Sequence, residues 1–263
     1  MSDQRMTRRR LLRAGLGTVT ASALGGCKIF DGLSAPDHRL RQFMERANDL
    51  TMAMQRGMLD RDALAQEFTP ADIRQPQRPN GVTDPQDDAY VALRDGGFAD
   101  YRLEVTGLVA RPLSLSLADL RQMPTREQIT RHDCVEGWSC IAQWTGVPLG
   151  HVLDQAMVRP SARYVLFHCF DTIERSLSGA VRYYETIDMI DARHPQTILA
   201  WGMNGGPLPV PNGAPLRVRV ERQLGYKMAK YIRAIEVIDD FSAIGRGKGG
   251  YWEDRGYEWY AGI

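Results

Sequence analysis

Apolar and polar residues alternate along Tyr101–Val109 and again along Ile232–Ile238, the period-two pattern of strands with one buried face. Arg163–Asp171 reads as a further strand, with His168 and Cys169 near its end. Shorter strands are expected at Glu127–Arg131, at Ser114–Leu117 and at Leu216–Val220, the last with Arg217 set among apolar neighbours. Another period marks the N-terminal region: Leu40, Phe43, Met44, Ala47 and Leu50 recur at three and four, which predicts an amphipathic helix. Leu59, Ala63, Ala65 and Phe68 predict a second, shorter helix after Gly57, and Leu149–Met157 a third. Thr69–Asp88 is rich in Pro, Gln, Asn and Asp, and reads as loop. Strands and helices follow one another without a regular βαβ repeat, so the expected class is α+β with mixed sheets. No GxGxxG loop stands between a strand and a helix, which argues against a nicotinamide cofactor.

The first residues follow another logic. Thr7-Arg8-Arg9-Arg10-Leu11-Leu12-Arg13 places twin arginines before a mildly apolar run, Ala14–Leu24, too short and Gly-rich for a stable span. This is a twin-arginine export pattern, and it implies a periplasmic location. Leu24-Gly25-Gly26-Cys27 reads as a lipobox whose Cys27 would carry lipid and hold the chain at a membrane surface; an ordinary signal with an incidental cysteine is the alternative. The expected organisation is a signal over 1–27, a helical extension over 28–75 and a catalytic domain over 76–263.

Composition narrows the partners. A chain of 263 residues that is 43% hydrophobic can bury a full core. Its 33 Lys and Arg stand against 32 Asp and Glu, so no basic stripe is available for nucleic acid and a small-molecule ligand is expected. Four cysteines are too few for a disulfide scaffold.

The candidate chemistry centres on Arg131-His132-Asp133-Cys134-Val135-Glu136-Gly137-Trp138-Ser139-Cys140. A cysteine among His132, Asp133 and Glu136 is poorly explained as packing. Cys134 has no CxxC partner, so a closed four-thiolate metal site is not expected. One thiolate suits a metal whose other ligands come from a cofactor, or a catalytic nucleophile.

Arg131-x-x-Cys134-Val135-Glu136-Gly137-Trp138-Ser139, followed by Trp144-x-Gly146-Val147-Pro148-Leu149, resembles the molybdenum-binding segment of the sulfite oxidase superfamily, most of all its periplasmic methionine-sulfoxide reductase branch. The resemblance runs from about Asn80 to the C-terminus. It implies a sulfite-oxidase-like molybdopterin domain in which Cys134 is the protein thiolate on molybdenum, with His132, Asp133 and Glu136 orienting its surroundings. It places Asn80, in a loop that could also be a plain Asn-Gly turn, at the metal end of the pterin. Cys169 falls where the family contacts the pterin from a strand end, although a disulfide with Cys134 or Cys140 is a rival. Pro211-Asn212-Gly213-Ala214-Pro215-Leu216-Arg217 and Gly225-Tyr226-Lys227-Met228-Ala229-Lys230 resemble the family's second block. By that resemblance Asn212, Arg217, Met228, Ala229 and Lys230 bind the pterin and its phosphate, and Lys227 lies behind them or faces substrate. No dimerising immunoglobulin-like domain is seen after the closing Gly250-Tyr251-Trp252-Glu253 block, so a monomer is expected.

The expected activity is oxygen-atom transfer at a molybdenum–molybdopterin centre. Sulfite oxidases carry a basic run after the cysteine, whereas this chain has Val135-Glu136-Gly137-Trp138, so reduction of a neutral S-oxide or N-oxide is favoured over sulfite-oxidase-type dehydrogenation. The chain has no CxxCH haem motif, and a membrane haem or quinol-linked partner would supply electrons. Two other readings are a metal-free hydrolase using Cys134 with His132 or His168 as base, and a non-enzymatic exported lipoprotein.

Overall fold

The computed structural model describes residues 39–176 and 179–263. The export signal and lipobox, Cys27 included, lie outside them. The chain forms two compact units, one ending at Ala53 and the other running from Met54 to Ile263. Among the described residues no helix is long and apolar enough to cross a membrane.

Helix α1 (Arg39–Met58) covers the residues spaced at three and four. The second helix expected after Gly57 does not form. Gly57 lies inside α1, and the chain beyond Leu59 turns and then runs extended. There Phe68 N–H donates to Ile129 O at 2.8 Å, Ala65 exchanges hydrogen bonds with the buried Gln196 side chain, and Glu67 bridges to Thr130. These tertiary partners satisfy the backbone groups that a helix would have paired internally. Helix α2 (Asp88–Asp95) was not legible in the apolar pattern. It is started by Asp87, whose carboxylate accepts from Ala89 and Tyr90 N–H, and it is anchored by buried Tyr90, whose hydroxyl donates to Ala214 O at 2.7 Å.

The remaining elements are β1 (Arg102–Gly107), β2 (Leu113–Ser116), α3 (Leu117–Gln122), β3 (Arg126–Cys134), β4 (Trp138–Pro148), α4 (Leu149–Gln155), β5 (Tyr164–Ser176), β6 (Gly179–Asp188), α5 (Met189–Ala192), β7 (Ile198–Met203), β8 (Gly206–Pro207), β9 (Arg217–Arg219) and β10 (Ile232–Ile238). One sheet has the order β2-β1-β10-β5-β6, in which β1 and β10 run parallel and the other pairs antiparallel. The second has the order β3-β4-β7-β8, with β9 added on β7. The mixed-sheet architecture expected from the chain is the one observed. Leu103, Val105, Phe167 and Ile235 are fully buried in the main core, and every residue of β7 is buried.

The β3–β4 hairpin pairs Cys134 with Trp138, and Gly137 closes the turn by donating to Cys134 O at 3.0 Å. Gly137 has φ 84°, a value that disfavours any side chain there. Alternation along β3 buries Gln128, Thr130, His132 and Cys134 on one face. Asp133 therefore points the other way, where it pairs with Arg131 and Ser139. Further along, β4 crosses β7 so closely that a Cβ on Gly146 would lie 2.3 Å from Leu199 O and 2.7 Å from Ala200 Cα. Because the obstacle is backbone, Gly146→Ala is expected to cost about 3 kcal/mol, read as a lowered midpoint in thermal or urea denaturation.

Candidate active site

Cys134 lines a cleft of about 570 Å³ with Asn80, Glu136, Asp171, Met228 and Lys230. The walls between these groups are largely apolar, with Val135, Ile173, Tyr183, Tyr226 and Trp252 contributing. Cys134, Asn80, Met228 and Lys230, brought together here, come from three separate chain segments. Burial pushes the Cys134 thiol up, against the pull of the Glu136 backbone N–H that it accepts. A metal would reverse this, since a coordinating thiol gives up its proton. Glu136 is exposed, accepts from Trp138 Nε1 at 2.9 Å and lies 3.8 Å from Arg78, whose guanidinium covers the Trp138 ring.

Lys230 performs a different task from a free cation. Its ammonium donates to Asn80 O, to Val82 O at 2.6 Å and to Pro211 O at 3.1 Å, so all three N–H bonds are committed to carbonyls. Tyr231 completes the clamp, with its hydroxyl 3.0 Å from Val82 O and 2.8 Å from Val210 O. Burial, and then Arg217, draw the Lys230 pKa down to about 7, while Asp171 pulls the other way. Gly213 lets the 210–213 turn approach: a Cβ there would sit 3.0 Å from Lys230 Cβ and 3.3 Å from Arg217 Cβ. Ala229 is buried, and its carbonyl accepts from Val218 on β9.

Beyond this clamp lies a buried set of donors. Arg217 is 2% exposed; Nη1 donates to Asn212 O at 2.9 Å, and Nε and Nη2 have no partner. Its guanidinium covers the Trp144 ring at 4.9 Å, Arg219 covers the same ring at 4.4 Å, and Trp144 Nε1 is likewise without an acceptor. Arg219 has a carboxylate, Glu221, at 2.7 Å, and also donates to His132 Nδ1 at 2.9 Å. A guanidinium can only donate, so His132 Nδ1 is the acceptor. Burial, helped by Arg219, Arg217 and Lys230, keeps the ring neutral, which puts its one proton on Nε2, and Nε2 has no partner. Gly225 passes over that nitrogen, where a Cβ would stand 2.5 Å away. Four buried donor nitrogens of His132, Trp144 and Arg217 thus lack acceptors. An acceptor-rich, anionic group fits them, and a pterin ending in phosphate is one.

Several expected residues lie elsewhere. Cys169 is 1% exposed in the main core and does not line the cleft; Asp171, two residues along the same strand, does. Lys227 is fully buried, with Nζ 2.5 Å from Glu185 and 2.6 Å from Glu253, so it does not face substrate, and of its two expected places only the one behind the other residues is left. Cys134, Cys140 and Cys169 are all free thiols, so neither rival disulfide forms. The hydrolase reading lacks a base at the thiol, because neither His132, whose Nδ1 is held by Arg219, nor His168 lines the cleft with Cys134. Trp144, Arg219 and Asp171 were missed from the sequence; an arginine repeated at i and i+2 in an apolar strand was the available signal.

A single thiol in a cleft beside a buried set of donors without protein acceptors is the arrangement that a cofactor-binding domain requires. Residues 91–243 match the oxidoreductase molybdopterin-binding domain family, and the chain belongs to it. It is a molybdopterin-dependent oxidoreductase of the sulfite oxidase superfamily. Over 255 residues, 97% of this chain and 87% of the relative, it is 36% identical to YedZ1 of Azospira oryzae, a protein named as a putative protein-methionine-sulfoxide reductase subunit. It is 39% identical over 148 residues to the catalytic subunit MsrP of Xanthomonas campestris, a protein-methionine-sulfoxide reductase; that match covers 54% of this chain and about half (46%) of the relative. The sulfane dehydrogenase SoxCD of Paracoccus pantotrophus superposes with a TM-score of 0.48 at 23% identity, over 54% of this chain and 39% of that one.

Arg217→Met is expected to lower the molybdenum retained per purified chain by roughly tenfold or more, measured by elemental analysis, since charge-assisted hydrogen bonds to the bound group disappear. A second expectation concerns pH. Burial raises the Asp171 carboxyl to about 7 from its ordinary 3.8, so the folded chain holds a proton that the unfolded chain releases. Stability from this group is complete below the ordinary value and is lost as pH rises through about 7. Asp171→Asn should flatten that part of the melting-temperature profile of cofactor-free protein.

Proposed function

We propose that this chain is the exported catalytic subunit of a system that reduces S-oxides, with N-oxides as the related class. Molybdenum–molybdopterin is the cofactor and a membrane haem or quinol-linked protein the electron source. The observation that carries the reading is the cleft itself: Cys134 opens into walls of Val135, Ile173, Met228 and Trp252, and the lysine among its lining residues is committed to carbonyls. Such a lining favours a neutral substrate over a dianion such as sulfite. Glu136 is exposed to screening solvent and has Arg78 3.8 Å away, so repulsion by Glu136 is the lesser reason. Reductase relatives support the same direction.

When bound, the cofactor supplies the two-electron redox couple and the acceptor site for oxygen. The protein's residues do the rest. Cys134 would be the metal thiolate, positioned by its hairpin pairing with Trp138. Arg217, Trp144 and His132 would donate their unpartnered N–H groups to the pterin or its phosphate, and Asn212 holds Arg217 in place. Lys230 and Tyr231 would fix the Asn80–Val82 and Val210–Gly213 turns around it, with Met228 and Ala229 forming the edge. The buried Glu185–Lys227–Glu253 triad anchors the turn that carries these residues. Export through the twin-arginine route, with lipid on Cys27, would place the enzyme at a periplasmic membrane surface beside its donor.

The test is S-oxide reduction by exported, molybdenum-loaded protein with a reduced viologen dye as donor. Cys134→Ser is expected to lower the rate at least about a hundredfold while the circular dichroism spectrum is unchanged. Molybdenum-loaded wild type that turns over sulfite but no S-oxide would reverse the assignment of substrate.

A further inference from the structure

Oxygen removal from an S-oxide consumes protons as well as electrons. The S–O bond breaks, sulfur gains two electrons from the reduced cofactor, and the oxygen leaves as water after taking two protons. We infer that Asp171 is the group that delivers the first proton to the departing oxygen, an inference that rests on the S-oxide reductase reading above. Asp171 lines the same cleft as Cys134, is 4% exposed, and its Oδ1 has no hydrogen-bond partner. An unsatisfied buried carboxyl oxygen in a cleft is costly unless it serves a ligand. Its position follows from β5: Asp171 shares the face of Cys169, but lies where the pairing with β6 shifts between His168 and Thr172.

The competing acid in the cleft is already engaged. Glu136 is exposed, accepts from Trp138 and faces Arg78. Lys230 has committed its protons to three carbonyls. Around Asp171 the ionisable groups are Lys230, Tyr231, Tyr90, Tyr183 and Cys169. Lys230 is the sole cation among them, and burial outweighs it, so the carboxyl holds its proton up to about pH 7. A proton donor that titrates near working pH is well matched to general acid catalysis. Asp171 gives one proton to the oxygen and is reprotonated by water at the cleft mouth, which also provides the second.

The experiment compares wild type, Asp171→Asn and Asp171→Glu as full chains matured with cofactor. Dimethyl sulfoxide is the substrate and a reduced viologen dye the donor. Asp171→Asn should keep its molybdenum and its KM, lose about a hundredfold in kcat, and lose the fall in kcat as pH rises through neutrality. Asp171→Glu should recover part of kcat with a displaced pH profile. Infrared spectra of the wild type should show a protonated-carboxyl band that shifts in deuterated water and is absent from Asp171→Asn. Wild-type kcat and pH profile in Asp171→Asn would overturn the proposal. So would a rate loss matched by molybdenum loss, which would make Asp171 a cofactor holder. Molybdenum-loaded wild type that reduces no S-oxide would sink the functional reading, and this inference with it; the first two outcomes would sink this inference alone.

Discussion

A guanidinium sealed from water with two idle N–H groups is among the more costly things a protein interior can hold, and Arg217 is in that state. Burial and the neighbouring Arg219 pull its pKa to about 9. Among the described residues no carboxylate pairs with it; Trp144 offers its ring face and Asn212 a carbonyl, which compensate only in part. An anionic guest would supply the rest. Because such a guest binds the folded chain and not the unfolded one, its binding free energy adds directly to stability. A cofactor held there would therefore be part of the fold's energetics as well as of its chemistry.

Everything near this charge is arranged to keep distant segments on it. Lys230 and Tyr231 gather carbonyls from the Asn80–Val82 and Val210–Pro211 turns, while Lys227 is gripped by Glu185 from β6 and Glu253 from the C-terminal block. Two carboxylates on one buried ammonium leave an excess negative charge, and burial together with Glu253 pushes the Glu185 carboxyl well up. A proton held by Glu185 removes that excess. The triad thus ties the cofactor turn to β6 without exposing a charge to the cleft.

The legible parts of the site were those whose chemistry is carried by neighbours in the chain. Cys134 stood out because polar residues flank it at the end of an expected strand; only the structure, in which β3 runs on to Cys134, made it a face-mate of His132 and an opposite of Asp133. Lys230 and Arg217 were legible as cations beside glycine, but their partners were not. Three carbonyls on one ammonium and an indole shared by two guanidiniums depend on segments 19 to 150 residues apart meeting in space. The segment after Leu59 was misread for the same reason: its hydrogen bonds go to Gln196 and Ile129, which no local spacing announces.

Taken alone, the sequence determined the mixed-sheet class, the strand that leads to Cys134 and the cationic character of the second block, because strand alternation and charge are local properties; the hairpin that presents Cys134 emerged only in the structure. The tertiary structure decided which of those groups face the cleft. It turned Cys169 into core and Asp171 into lining, consumed Lys230 in a clamp and left Arg217, Trp144 and His132 with donors and no acceptors. Burial and hydrogen-bond satisfaction are set by what packs against a side chain, and that is known only when the sheets and turns have closed around it.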